Sequence, residues 1–243
     1  MANTALAHGR CAGGNDGVPG RLLQVWPRGS LGVSTVGRAE QMNDNETQAE
    51  PSPAADANAI EQADVAIAQK AGEYRDTPVV KALGTFSELA DQPPLITICA
   101  LTLAAGLVTR RPRLALTGAR MLASHLTATG MKAVIKRSID RTRPNILVEE
   151  NRYETGKGRH NESDYNSFPS GHTAGAVAVA RAVARDYPGS APAAYSLATL
   201  VALIQIPRCK HYLSDITVGA ALDWVAEAIA SRGLEAGLRR LGR

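Results

Sequence analysis

The stretch FPSGHTAGAVAVA, residues 168–180, decides how the chain is read. Pro169, Ser170 and Gly171 have the composition of a helix entrance, and the run after them is small and apolar. His172 then falls in the first turn of that helix. The positive end of a helix dipole disfavours a protonated imidazole there, so an anion close by is needed to justify it. Ser170 as N-cap, the free amides behind it and Gly171, which lets a ligand approach the backbone, together read as an anion site.

Working outward, the same pattern of apolar helices recurs. PLITICALTLAAGLVT (94–109) carries no charge and runs into RRPR. LALTGARMLASHLTATGMKAVIK (114–136), GHTAGAVAVARAVA (171–184), AAYSLATLVALIQI (193–206) and DITVGAALDWVAEAIA (215–230) complete the set. A spanning helix needs about 20 apolar residues, so these are short spans. Arg120, Lys132, Arg181, Asp223 and Glu227 lie inside them, where charges normally face a bundle interior and pair. Lys132 is paired with Asp223 on this reading; the alternative lines the pocket with it. Two settings are compatible with the pattern: a five-helix membrane bundle, or a soluble all-α bundle with apolar helix faces. Placing RRPR, Arg185 and the basic C-terminus on one face and the acidic segment 42–92 on the other obeys the positive-inside bias. The expectation is therefore an all-α multi-helix bundle, embedded in the inner membrane with about five spans, with loop 137–170 on the extracytoplasmic side.

Three regions make up the chain on this reading. Residues 1–58 are poor in large apolar residues and are expected to form a disordered tail, with Met42 an alternative start. Residues 59–235 form the helical domain. Within it, 59–90 read as amphipathic helices broken at Pro78. Residues 236–243 form a basic C-terminal tail. Across 243 residues the net charge is +4 with only 4% aromatics, and no basic stripe is interleaved with aromatic residues, which argues against a nucleic-acid partner. The cysteines, Cys11, Cys99 and Cys209, form no CxxC and no zinc-spaced cluster, and no acidic run has calcium-loop spacing. The chemistry expected below requires no metal or cofactor.

On the proposed topology three polar segments emerge together: KRSIDRTRPN (136–145), PSGH (169–172) and PRCKHYLSDITVGA (207–220). Lys136 and Arg143 add positive charge, and a guanidinium fork matches phosphate oxygens. A phosphate dianion would favour protonated His172, which can then give a proton to a leaving oxygen. His211 and Asp215, one helical turn apart, suit a nucleophile and the carboxylate that fixes its tautomer. Attack by His211 gives a phosphohistidine that water hydrolyses, with Lys136, Arg143 and the Gly171 amide stabilising the equatorial oxygens.

Lys136 with Arg143-Pro144 after six residues, Pro169-Ser170-Gly171-His172, and His211 with Asp215 after three residues together resemble the type 2 phosphatidic acid phosphatase superfamily, over about residues 60–232. The resemblance implies a helical bundle with its active site at the extracytoplasmic face. It further implies His211 as nucleophile, Asp215 as its orienter, His172 as general acid, and Lys136, Arg143, Ser170 and Gly171 as phosphate ligands. The substrate expected is a lipid phosphate or diphosphate. A soluble acid phosphatase of the same superfamily, a haloperoxidase relative, and a catalytically dead lipid-phosphate binder are the alternatives. In two respects the chain departs from the family. Ile204 and Gln205 stand where Ser-Arg is usual, leaving Arg208 as the candidate substitute, and the first of six spans is missing.

Overall fold

The computed structural model describes residues 53–158 and 162–241. The predicted N-terminal tail up to residue 52, with Met42, lies outside them. The account below concerns the compact unit Ala49–Arg243.

Pro78 ends one amphipathic helix and starts another: α1 is Ala59–Gly72 and α2 is Pro78–Ser87. Asn58 caps α1 in a capping box with Glu61, and Thr77 caps α2, so both starts are written locally. A single turn, Glu88–Ala90, joins α2 to α3 (Gln92–Val108), and α4 (Pro112–Lys136) returns antiparallel after the RRPR turn. Here close approach dictates composition. A Cβ on Gly106 would sit 2.2 Å from the Ala115 nitrogen, and one on Gly118 would sit 2.3 Å from the Leu103 nitrogen. Only glycine lets the α3 and α4 backbones meet at that distance.

After α4, loop 137–170 contains structure that helix periodicity did not reveal. Strand β1 (Ile139–Arg141) pairs antiparallel with β2 (Thr155–Lys157), with Asp140 opposite Gly156, and α5 (Pro144–Glu150) lies between them. The fold is thus mainly helical with one small two-stranded sheet. Three-residue strands are too short for alternation to register.

The remaining helices are α6 (Gly171–Asp186), α7 (Ala191–Leu203) and α8 (Leu213–Leu241). Helix α6 is central and packs on α4, α7 and α8. Its buried residues are Thr173, Gly175 and a run of alanines from Ala174 to Ala182. Small side chains let these helices pack closely, as the low aromatic content suggests. Helix α8 runs on to Leu241, so residues 236–241 continue a helix and are no separate tail.

The expectation of about five spans finds no support in helix length and composition. Among the described residues no single helix is long and apolar enough to cross a membrane; α2 with its following turn and α3, bent by 57°, reach the length and composition only as a pair. Helices α3, α6 and α7, at 17, 16 and 13 residues, are short, and the long helices α4 and α8 carry interior charges. Glu227 is buried on α8 against Arg181 at 3.0 Å and Arg185 at 2.8 Å, and Arg120 pairs with Asp186 at 3.2 Å. Each pair breaks the apolar run of the helix that carries it.

Candidate active site

The three polar segments meet at one end of the bundle. Lys136 is the last residue of α4, and its ammonium donates to the Asn166 carbonyl at 2.6 Å. Arg143 is the N-cap of α5, placed there because Pro144 occupies the first helical position. Ser170 caps α6 as expected, its hydroxyl accepting the Thr173 amide at 3.4 Å and its own amide donating to the Asp215 carbonyl at 3.1 Å. His172 and His211 face one another with ring centroids 6.3 Å apart. Lys136, Arg143, Ser170, Gly171, His172, His211 and Asp215 therefore share one neighbourhood.

The tautomer of His211 is set differently from the sequence expectation. Its Nδ1 lies 2.7 Å from the carbonyl oxygen of Ser167 and 3.8 Å from Asp215 Oδ2. A carbonyl only accepts, so Nδ1 carries the proton and Nε2 keeps its lone pair. Asp215 acts at one remove. Its Oδ2 accepts the Ser167 hydroxyl at 2.6 Å and the Tyr212 amide at 2.8 Å, while Oδ1 accepts Arg141 at 2.7 Å. Sequence reasoning missed Ser167, since a main-chain carbonyl leaves no residue-type signal. Arg141 was passed over although it sits inside KRSIDRTRPN.

Burial pushes His211 below the ordinary histidine range; Asp215 opposes this, and Arg143 and Lys136 reinforce it. Burial therefore favours the neutral ring of His211. Burial alone would raise Asp215, but His211, Arg141 and the Ser167 hydroxyl together hold it below the usual carboxylate range. For Lys136, burial and then the like charges of Arg143 and Lys132 bring the ammonium down to about 8.

Unpredicted residues surround His172. Its Nε2 lies 2.8 Å from Asp91 Oδ1 and 3.9 Å from Glu88 Oε2, although the alignment is too poor for a hydrogen bond. Burial, then the neighbouring His211, lower His172 to about 4. Burial, then Glu88, raise Asp91 to about 6, while the hydrogen bond with Asp91 leads the effects that hold Glu88 at about 2. Glu88, Asp91 and His172 could also converge on a cation, their ligand atoms lying within 4.8 Å of one another. Arg208 already supplies positive charge there, paired with Glu88 and donating to Ser87 Oγ at 2.7 Å. Arg208 therefore stands at the rim, tied to the turn after α2. Gln205, fully buried, donates to the same Ser87 hydroxyl at 3.1 Å and to the Val201 carbonyl at 2.9 Å.

The expected pairing of Lys132 with Asp223 is not formed. Neither Asp223 oxygen has a hydrogen-bond partner among the described residues, and a Cβ on Gly171 would lie 3.1 Å from Lys132 Nζ. Lys132 stands at the site, one turn before Lys136. Two hollows adjoin it. A polar cleft of about 530 Å³ is lined by Arg143, Arg208, Glu88 and Lys210 among others. An apolar groove of about 410 Å³ runs between α2, α3, α6 and α7, past Ala176 and Ala180.

Comparison with known proteins agrees with this geometry. Residues 117–236 match the PAP2 superfamily. Over 95 residues the chain is 34% identical to a lipid A 1-phosphatase of Porphyromonas gingivalis, a stretch that covers 34% of this chain and only 21% of that protein. The fold resembles a transmembrane PAP2-type phosphatidylglycerolphosphate phosphatase from Bacillus subtilis, with TM-score 0.56, 21% identity, and 74% of this chain and 88% of that one covered. It also resembles LpxE of Aquifex aeolicus, with TM-score 0.50, 18% identity, and 69% and 94% covered. Through residues 117–236, which hold both histidines, Asp215 and every cation expected to bind phosphate, the chain belongs to the PAP2 superfamily.

Proposed function

We propose that this protein hydrolyses the phosphate monoester or diphosphate of a lipid through a phosphohistidine formed on His211. One observation carries the reading: two imidazoles stand 6.3 Å apart, one tautomer-fixed by the Ser167 carbonyl, among the ammonium and guanidinium groups of Lys136 and Arg143. In the first step Nε2 of His211 bonds to phosphorus as the ester P–O bond breaks. Protonated His172 gives its proton to the departing oxygen. In the second step water attacks phosphorus and returns a proton to His172. The P–N bond breaks, freeing inorganic phosphate and neutral His211. Lys136, Arg143 and the Gly171 amide neutralise the equatorial oxygens throughout.

A lipid substrate is favoured by two hollows that both draw on the turn Glu88–Ala90, the polar cleft through Glu88 and the apolar groove through Leu89 and Ala90. The polar cleft suits a head group and the apolar groove a chain, and Ala176 lies one helical turn below His172. Leu101, Leu107, Leu197 and Leu203 are exposed on α3 and α7, which suits a membrane setting. The charge asymmetry in the sequence favours an extracytoplasmic site. The test is phosphate release by detergent-solubilised protein from phosphatidic acid, an isoprenyl diphosphate and p-nitrophenyl phosphate. Release from the lipids with His211-dependent trapping of labelled phosphate supports the proposal. Release from the small ester alone would replace the lipid with a soluble substrate.

A further inference from the structure

Helix α8 carries Asp215 at its third position, and Asp215 accepts the amide of Tyr212, the residue before the helix, at 2.8 Å. That is the return half of a capping box. The forward half needs a side-chain oxygen on the second or third amide of the helix, and Tyr212 has none placed to give it. Asp64, from α1, supplies it: its Oδ1 accepts the Ser214 amide at 3.0 Å. Its Oδ2 accepts Arg141 Nη2 at 2.8 Å and pairs with the Ser214 hydroxyl. The same guanidinium donates through Nη1 to Asp215 Oδ1 at 2.7 Å and to Ser214 Oγ at 2.7 Å, and through Nε to Tyr153 at 3.2 Å. It lies 4.2 Å from the centroid of the Tyr212 ring. Asp64, Arg141 and Asp215 are 3%, 4% and 0% exposed, so no solvent can replace a lost partner.

We propose that Asp64 is a positioning residue for the His211–Asp215 pair, capping α8 in trans and holding Arg141 against Asp215. This rests on the phosphatase reading. Helix α1 lies outside the residues 117–236 that match the family. Two consequences follow from charge. With both carboxylates present the Asp64–Arg141–Asp215 set is net negative, which favours the positive ring that His211 becomes when phosphorylated. With Asp64 neutral, the guanidinium is balanced by Asp215 alone, and the imidazole should titrate lower. The other groups facing His211 are Lys136 from α4, Arg143 from the start of α5 and His172 from α6, and none of them is altered.

The test is Asp64→Asn in the full chain, with three readouts: kcat and KM, the acid limb of the pH–rate profile, and the His211 titration followed by imidazole NMR. The expected result is a fall in kcat of about tenfold or more with KM within about threefold, and a His211 titration about half a unit or more lower. Unchanged kcat and unchanged His211 titration in a folded variant would overturn the proposal, as would a loss no larger than the fraction unfolded. If Asp64→Asn does not fold, Ser214→Ala, which removes the hydroxyl that contacts both Asp64 and Arg141, should lower kcat in smaller measure with KM unchanged, and an unchanged kcat overturns the idea. If the wild type hydrolyses no phosphate ester, the phosphatase reading falls, but the His211 titration still decides the role of Asp64.

Discussion

His211 Nδ1 is held by the main-chain carbonyl of Ser167 at 2.7 Å, whereas Asp215 stands 3.8 Å away and holds Ser167 instead. The carboxylate therefore acts on the His211 ring through the loop that orients it. Asp215→Asn should keep the tautomer, because the carbonyl remains, yet lose the charge that balances Arg141. The expected outcome is a kcat reduced about 100-fold, less than in a triad whose aspartate sets the tautomer directly. Stability should fall by about 3 kcal/mol, because a buried guanidinium loses one of two anionic partners. Phosphate release and urea unfolding on the same preparation check both.

The two histidines should separate by leaving group. His211→Ala removes the attacking atom and is expected to abolish turnover of every ester and all acid-labile labelling of the protein. His172→Ala removes only the proton donor. It should retain measurable cleavage of p-nitrophenyl phosphate, whose leaving oxygen needs no proton, while losing about 100-fold or more on an alkyl phosphate. Equal losses on both esters would remove His172 from the acid role.

Anion binding should take up protons. His172 is lowered to about 4 in the free site, first by burial and then by His211, and Lys136 is brought down to about 8. A bound dianion favours the charged form of both, so binding raises both values. Orthovanadate affinity should therefore weaken as pH rises from 6 to 9, and calorimetry in buffers of differing ionisation enthalpy should show net proton uptake. Asp91→Asn removes a carboxylate 2.8 Å from His172 and should shift the alkaline limb of kcat to lower pH. A limb that does not move would show that Asp91 does not support the imidazolium.

What could be read in the sequence, and what could not, divides along physical lines. Helices α1 to α4 and α6 to α8 follow from apolar periodicity, Pro78 and the caps at Asn58, Thr77 and Ser170, because those signals are local. That Lys136, Arg143, His172 and His211 come together was legible only from their three segments taken as a set, since each alone has commoner uses. The Ser167 carbonyl, Asp64 and Asp91 were not legible. Each acts through a contact more than 40 residues away along the chain, and nothing in its own neighbourhood marks it. Strands β1 and β2 escaped because three residues give no period. The number of spans was not legible, because α3, α6 and α7 are 17, 16 and 13 residues long and α4 and α8 carry buried charges such as Arg120 and Glu227.

Gln205 and Arg208 give the last prediction. Gln205 is fully buried with its amide on Ser87 and Val201, whereas Arg208 reaches the same Ser87 from the rim and pairs with Glu88 beside His172. The charge usual at position 205 in the family has in effect moved three residues along the chain, where half-exposed Glu88 partly neutralises it. Arg208→Gln should therefore weaken orthovanadate binding by about tenfold and raise KM in proportion, with kcat changed less than about threefold, since the guanidinium attracts the anion more than it serves the transition state. Gln205→Ala should instead cost about 1–2 kcal/mol of stability by leaving a buried cavity, with vanadate affinity nearly unchanged. If the two variants exchanged these effects, the phosphate-side cation would lie in the Gln205 turn and not at Arg208.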